Sequence, residues 1–250
     1  MQAGTNERRS GDAFAALSVR FHGNKLLIWL VAIAALTGLV AALNPGWLLE
    51  LDQPLSDRAL RAPGSDDFWV RVSYLGMPDL GIALAVLSVV FLRKRCRRIA
   101  FVYPAVVAVG VFVDNALKIV VDRPRPAGIL IDTALGSFPS GHTIQVVAIV
   151  GFLPLVVRVL TRSRLIFWST WVGFMIIVAA VGFSRIRLGA HWPSDIAASY
   201  LIGSALVIAG RHAVATESGP ARCKGCPLHA VSVDVVDSAG TILPGAPGAA

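Results

Sequence analysis

Three short polar segments carry the residues of this sequence that are best suited to chemistry. They read KIVVDRPRP (118–126), SFPSGHT (137–143) and SRIRLGAHWPSD (184–195), and each adjoins a long apolar run. Together they hold two histidines, carboxylates and several cations. A charged loop or a polar contact between helices would also use such residues, but this set can both bind an anion and move protons. We therefore treat the three segments as a candidate reaction centre.

The segment around Pro139 predicts the start of a helix that binds an anion. Pro139 disfavours helix before it, Ser140 is a favourable N-cap, and Gly141 leaves the backbone open in the first turn. Unpaired amides and the positive end of the helix attract phosphate in particular. His142 would face the bound anion from the same turn.

The third segment predicts an activated imidazole. Residues 192–194 (WPS) start another helix, and Asp195 in its first turn can reach back four residues to His191. A carboxylate bonded to one imidazole nitrogen fixes the tautomer and leaves the other nitrogen as a base or nucleophile.

The cations and the two histidines together fit phosphoryl transfer. One histidine can attack phosphorus while the other protonates the leaving oxygen. Three cations can neutralise the phosphoryl oxygens: Lys118, Arg125 and Arg185. The segments contain no acidic cluster, so we expect neither a metal nor another cofactor.

Long apolar runs must position these segments. The chain has 250 residues, of which 15% are charged, and its mean hydropathy is +0.68. A soluble domain has about a quarter of its residues charged. We therefore predict an all-α, polytopic membrane bundle with about six transmembrane helices. The runs cover 26–43, 80–92, about 99–121, 143–161, 165–183 and 195–210. The mixed stretch 47–79 predicts an amphipathic or re-entrant segment at the interface.

The basic loops predict the orientation of the bundle. The loop 93–98 reads RKRCRR, and further arginines lie in the N-terminal segment and between the fourth and fifth runs. The positive-inside rule places these loops and both termini in the cytoplasm and the three polar segments at the opposite face. Membrane orientation thus explains the net charge of +8. The sequence has no basic face interleaved with aromatic residues, so we expect no nucleic-acid partner.

The ends of the chain predict little chemistry. We expect a cytoplasmic segment without a cleavable signal over 1–24, the membrane domain over 25–211, and a disordered cytoplasmic tail over 212–250. In the tail, Cys223, Cys226 and His229 amount to three possible ligands, whereas a structural zinc site needs four.

The same three segments resemble the three-part signature of the type-two phosphatidic acid phosphatase superfamily. The matches are K-x6-R-P (Lys118, Arg125, Pro126), P-S-G-H (Pro139 to His142) and S-R-x5-H-x3-D (Ser184, Arg185, His191, Asp195). They occur in the family's order over 78 residues, and all the polar positions are filled. Each match alone would be weak, but three separate ones are specific.

The resemblance implies a role for each matching residue. His191 would be the nucleophile that forms a phosphohistidine, with Asp195 orienting it, and His142 would be the general acid and later the base. The phosphate would be held by Lys118, Arg125, Ser140, Gly141 and Arg185. The six-residue spacing selects Arg125 rather than Arg123, and we expect Arg123 and Arg187 to be loop or headgroup contacts.

The resemblance also implies a metal-independent lipid phosphatase of the bacterial cell membrane. Its substrate would be a phosphate monoester or diphosphate whose tail stays in the bilayer. Candidates are an isoprenoid diphosphate, such as undecaprenyl diphosphate recycled for cell-wall synthesis, phosphatidic acid or phosphatidylglycerol phosphate. Two alternatives remain open: a phosphotransferase acting on a lipid or sugar hydroxyl, and a non-catalytic protein that binds anionic lipid. No protein partner is indicated.

Several residues have simpler interpretations that the structure can test. Lys118 can pair with Asp114 on its own helix, and Asp195 can serve only the helix dipole. Gln145 is expected to form an interhelical hydrogen bond. Trp192 is a candidate for the substrate entrance.

Overall fold

The fold is built from helices joined by short connections. The computed structural model describes residues 25–43, 45–93, 97–126, 135–152 and 163–215, and these contain no strand. The all-α prediction is therefore confirmed. The helices are α1 Lys25–Leu43, α2 Pro45–Leu60, α3 Asp66–Ser73, α4 Pro78–Leu92, α5 Arg97–Val121, α6 Gly141–Gly151, α7 Arg164–Arg187 and α8 Pro193–Ala215, with a 3₁₀ turn at Tyr74–Gly76.

Five helical segments of the described chain are long and apolar enough to cross a membrane. They are α1, the continuous stretch Asp66–Phe91, α5, α7 and α8. Large apolar side chains such as Trp29, Phe112 and Leu165 are exposed on their outer faces. Such surfaces are unfavourable in water but not in lipid, so these are the helices of an integral membrane protein.

The predicted fourth run is described only in part. The 11 residues of α6 are too few to span a bilayer by themselves, and residues 153–161 of the run lie outside the described residues. The prediction of about six spans therefore rests on five complete segments and this shorter apolar helix.

Helix α6 forms the centre of the bundle. Its side chains are buried along most of its length, against α5, α7 and α8. Gln145 Nε2 donates to the carbonyl of Val107 on α5 at 3.3 Å, which confirms the predicted interhelical hydrogen bond. Gly203 of α8 allows a close approach, because a Cβ there would lie 2.8 Å from Cβ of Val147. This packing holds the middle of α6 against α8.

The mixed stretch between the first two runs forms α2 and α3. Ser65 caps α3, since its Oγ accepts from the amide of Phe68 at 3.3 Å. The chain then makes the 3₁₀ turn, and α4 begins at Pro78, where a helix tolerates proline best. Both α2 and α3 contact α7, so they lie beside the end of α7 that carries Arg185.

Two helices run further than the apolar runs indicate. Helix α7 continues to Arg187, so Ser184 and Arg185 lie in its last turn instead of in a loop. Helix α8 continues to Ala215, past the boundary expected for the tail at 212. Polar residues at a helix end can keep helical geometry when they find local partners, as Ser184 Oγ does with the carbonyl of Val181 at 2.6 Å. The remaining predictions for 1–24 and for Cys223, Cys226 and His229 lie outside the described residues.

Candidate active site

The three polar segments meet at one end of the bundle. The amide of Ser137 donates to the carbonyl of Arg123 at 2.7 Å, which joins the first segment to the second. The indole of Trp192 donates to the carbonyl of Pro124 at 2.8 Å, which joins the first to the third. The convergence expected from the spacing is therefore present. Trp192 itself is buried in this junction, and its place at the substrate entrance stays a prediction.

His191 is buried, and its ring orientation is set by a main-chain carbonyl. Its Nδ1 lies 2.6 Å from the carbonyl oxygen of Ser137 and 3.9 Å from Oδ2 of Asp195. A carbonyl can only accept, so Nδ1 carries the proton and Nε2 keeps the lone pair. The tautomer is the one that a nucleophile needs. The expected contact with Asp195 is longer than a hydrogen bond, and the orienting role of Asp195 stays a prediction.

Asp195 is instead bonded mainly to other groups. Its Oδ1 accepts from Arg123 Nη1 at 2.6 Å, and its Oδ2 accepts from the amide of Trp192 at 2.9 Å. The second bond caps the start of α8, so the simpler role of a residue at the helix N-terminus is also fulfilled. Its negative charge nevertheless lies next to His191.

Arg125 is fixed by three main-chain carbonyls. Nε donates to Leu135 at 3.1 Å, Nη2 to Gly136 at 3.0 Å and Nη1 to Ala190 at 2.5 Å. These bonds tie the first segment to the residue before His191. None of the three acceptors carries a formal charge, so the charge of Arg125 is available to an anion.

Arg185 and Lys118 complete the set of cations. Arg185 is buried; among the described residues its side chain donates from Nη1 to Oγ of Ser73 at 3.4 Å, and its Nε has no partner. Such a buried, under-satisfied guanidinium is suited to an anionic ligand. Lys118 pairs with Asp114 at 2.7 Å, which confirms the simpler interpretation of this residue.

Both imidazoles lie in the field of the same three cations. Burial, followed by the charges of Arg185, Arg125 and Lys118, lowers the pKa of His191 well below its usual value, although the bond to Ser137 acts in the opposite direction. This pKa keeps the ring neutral, as a nucleophile requires.

His142 is half-buried in the first turn of α6, ahead of the predicted span. Burial, then the charges of Arg185, Lys118 and Arg125, lower its pKa to about 3. A general acid must be protonated, so this ring needs the negative charge of a bound phosphate to raise its pKa.

The start of α6 has Ser140 at the predicted N-cap position, but the amide and the hydroxyl of Ser140 are bonded within the protein, and anion binding at this helix start stays a prediction. Ser140 is the N-cap; its amide donates to Oγ of Ser199 at 2.8 Å, and its Oγ accepts from Thr143 at 3.0 Å. Gly141 packs against Asp114, because a Cβ there would lie 2.8 Å from the carboxylate carbon. Glycine is thus needed for α6 to approach the Asp114–Lys118 pair.

Arg123 was misjudged from the sequence. The expectation of a loop or headgroup contact is wrong, since its side chain is fully buried and bonded to Asp195, Asp52 and Ser194. Arg187, by contrast, does hold a loop: it donates to the carbonyl of Ala62 and pairs with Asp66. Asp52 and Ser194 were not identified at all. The one available signal was Asp52 itself, a carboxylate close to a predicted membrane span.

The described residues include no metal site. No group of three or more His, Cys, Asp or Glu side chains among them could hold a metal ion.

The family model of the PAP2 superfamily matches residues 99–218, which include all three segments. The match covers just under half of the chain, which is similar to the PAP2 superfamily over this region. The resemblance to the type-two phosphatidic acid phosphatases is confirmed. Helices α1 to α4, including the residues of α2 and α3 near the site, precede the matched region.

Individual proteins are similar to this chain in sequence or in fold. An undecaprenyl-diphosphatase from Sulfolobus acidocaldarius is 28% identical over 142 residues, which cover 54% of this chain and 64% of that protein. The chain thus matches less than two thirds of that relative's length. The transmembrane PAP2-type phosphatidylglycerolphosphate phosphatase from Bacillus subtilis superimposes with a TM-score of 0.65 at 20% identity, covering 79% of this chain and 98% of the other.

A second solved structure, LpxE from Aquifex aeolicus, superimposes with a TM-score of 0.53 at 22% identity, covering 65% of this chain and 95% of the other. At such identities the two structures show the fold alone. Since one relative comes from Sulfolobus, the similarities do not assign this chain to bacteria.

Proposed function

We propose that this protein is a membrane phosphatase that hydrolyses a lipid phosphate monoester or diphosphate through a phosphohistidine on His191. The observation that carries the proposal is the position of His191 Nδ1, 2.6 Å from a main-chain carbonyl, in the field of three cations that also reach His142. This arrangement fits a neutral nucleophile beside an anion, whereas binding alone would not need a fixed tautomer.

The reaction has two balanced steps. Nε2 of His191 attacks phosphorus, the bond from phosphorus to the leaving oxygen breaks, and His142 gives that oxygen a proton. Water then attacks phosphorus, His142 takes the proton from it, and the P–N bond breaks to release phosphate. Arg125, Arg185 and Lys118, with the first amides of α6, would hold the phosphoryl oxygens throughout.

An apolar cavity favours a substrate with a hydrophobic tail. About 420 Å³ of space lies between α4 and α5, lined by apolar residues that include Ile82, Val86, Pro104 and Val111. Val111 is seven residues before Lys118, or about 10 Å along α5. A chain attached to a phosphate at Lys118 can therefore extend into this cavity and remain within the bilayer.

The proposed substrate is an isoprenoid diphosphate, with phosphatidic acid and phosphatidylglycerol phosphate as the closest alternatives. The Sulfolobus relative is named for undecaprenyl diphosphate and the Bacillus structure for phosphatidylglycerol phosphate, so the relatives support both classes. We also propose, from the basic loops, that both termini are cytoplasmic and that the site opens at the other face.

Phosphate release from a panel of lipid phosphates in detergent tests the proposal. We expect release from at least one of undecaprenyl diphosphate, phosphatidic acid and phosphatidylglycerol phosphate, and continued activity in EDTA. If phosphate instead appears on an added hydroxyl acceptor, the protein is a phosphotransferase. Lipid binding without turnover of any substrate would indicate a binding protein.

A further inference from the structure

A buried ion network lies behind His191 and connects α2 to the start of α8. Arg123 is at its centre: Nη1 donates to Asp195 Oδ1 at 2.6 Å and to Ser194 Oγ at 2.8 Å, and Nη2 donates to Asp52 Oδ2 at 2.8 Å. Asp52 also accepts from the amide and the hydroxyl of Ser194 at 2.9 and 2.6 Å. The network therefore ties the first turn of α8, which carries Asp195, to α2.

Arg123 holds both groups that lie nearest to Nδ1 of His191. Its side chain binds Asp195, and its carbonyl accepts from the amide of Ser137 at 2.7 Å. Ser137 in turn presents the carbonyl that accepts from His191. A displacement of Arg123 would therefore move the carboxylate and the carbonyl together.

The charges of the network are not balanced. The side chains of Arg123, Asp52 and Asp195 are at most 3% exposed, and the two carboxylates face a single guanidinium. Attack on phosphorus makes the imidazole of His191 cationic, in a site where three other cations oppose that charge. A net negative charge on the far side of the ring favours the cationic form.

We propose that Arg123 and Asp52 are positioning residues for the reaction at His191. They hold Ser137 and Asp195 against the ring and supply the excess negative charge that its phosphorylation requires. The inference rests on the proposed function. It also assigns a role to α2, which lies outside the family-matched residues 99–218. A purely structural ion pair would need neither the link to Ser137 nor the second carboxylate.

Asp52→Asn tests this proposal, because it removes a charge with little change in size. Asp57→Asn is the matched control on the same helix, where Asp57 contacts the side chain of Gln53 away from the site. We expect Asp52→Asn to lower kcat by about tenfold or more and to change KM by less than about threefold, while Asp57→Asn stays within about twofold of the wild type.

The pH profile separates positioning from a loss of folded protein. Three cations face His191: Lys118 on α5, Arg125 in the segment after α5, and Arg185 on α7. The carboxylate of Asp195 lies on the other side of the ring, with Arg123 and Asp52 behind it. Removing the charge of Asp52 disfavours the imidazolium, so the acid limb of kcat/KM should move to lower pH. A smaller fraction of folded protein lowers kcat/KM by the same factor at every pH and leaves the acid limb at the same pH.

Arg123→Lys is the second variant, because an ammonium retains the charge but cannot bridge the two carboxylates with a planar fork. We expect its kcat also to fall by about tenfold or more. The inference would be overturned if Asp52→Asn and Asp57→Asn had the same kcat and the same acid limb of kcat/KM. It would also be overturned if the Arg123→Lys variant kept the wild-type kcat. A wild-type protein that releases no phosphate from any lipid overturns the proposed function first, and this inference with it.

Discussion

At the scale of single residues, the ring of His191 has more polar partners than that of His142 or His212, the other histidines that the structure describes. One nitrogen is committed to a carbonyl, and a carboxylate, a guanidinium network and three cations surround the rest. His212 lies in the last turn of α8, at the end of this helix that is away from the candidate site. The same type of side chain thus occurs at the two ends of α8 in different positions relative to the candidate site.

Replacement of His191 by alanine should abolish turnover. Without Nε2 no phosphoenzyme forms, so we expect kcat/KM to fall by about a thousandfold or more, whereas His212→Ala should remain within about twofold of the wild type. Phosphate release, and labelling of the protein after an alkaline quench that preserves the acid-labile P–N bond, measure the two effects. Stoichiometric labelling of His191→Ala would show that another residue is the nucleophile.

The pH dependence should reflect the two imidazoles separately. The pKa of His191 is lowered, so its ring stays neutral and reactive as the pH falls through 6.5, and the acid limb should lie well below that value. A bound phosphate raises the pKa of His142 from about 3, so activity should be lost at alkaline pH when this ring deprotonates. Activity measured across pH should therefore pass through a maximum.

His142→Gln provides the control for this assignment. The variant should be slow, and its remaining activity should lack the alkaline limb. A monotonic rise of wild-type activity into strongly alkaline pH would contradict the paired roles of the histidines.

At the scale of elements, the site depends on how closely α6 approaches α5. Gly141 in the first turn of α6 faces the carboxylate of Asp114, and that carboxylate holds Lys118 at 2.7 Å. The start of α6 and the ammonium of Lys118 are therefore linked through Asp114, and their positions beside the proposed phosphate depend on each other.

Gly141→Ala should damage the site without removing any polar group. Its Cβ would lie 2.8 Å from Cγ of Asp114, so Asp114 and Lys118 must shift. An overpacked contact costs about 1–3 kcal/mol, and we expect kcat/KM to fall by about tenfold or more. Gly173→Ala on α7 is the control, because a Cβ there meets nothing within 4 Å. Similar kinetics for the two variants would contradict the proposed close approach.

At the scale of the whole molecule, the candidate site lies at one end of the bundle. Helices α5 and α7 end there, and α6 and α8 begin there. Exposed Ser65 lies between α2 and α3 near this end, and exposed Arg211 lies in the last turns of α8 at the other.

Single cysteines at these two positions should report the orientation. In a variant whose native cysteines are replaced, we expect Ser65→Cys to react with a membrane-impermeant maleimide in intact cells, and Arg211→Cys to react only after permeabilisation. The reverse pattern would place the site in the cytoplasm and contradict the charge rule for this chain.

Long apolar runs and local motifs were predictable because their signals are contained in short stretches of sequence. The run 26–43 differs from α1 by one residue, and Ser140 was recognised as an N-cap from its neighbours alone. Helix ends with polar residues were less predictable. Ser184 bonds to the carbonyl of Val181 within α7 and Arg185 donates to Ser73 of α3, and hydropathy does not detect such partners.

The site shows the same division. Each matching residue of the three segments was identified from residue type and spacing, and so was the pair of Asp114 with Lys118, which needs only helical geometry. The carbonyl that orients His191 and the burial of Arg123 were not identified. They arise from contacts between residues 54 and 72 positions apart, to which no local pattern corresponds.

The chain's residue types and order were thus sufficient for its membrane class, its resemblance to the PAP2 superfamily and the set of candidate reactive groups, because hydrophobicity, capping and motif spacing act over short distances. Folding alone established which group each reactive side chain meets. Asp52 illustrates the difference: it is an ordinary carboxylate in the sequence, and it joins the network behind His191 only because α2 packs against the start of α8. Hydrogen bonds and charges act between neighbours in space, and the fold decides which residues become neighbours.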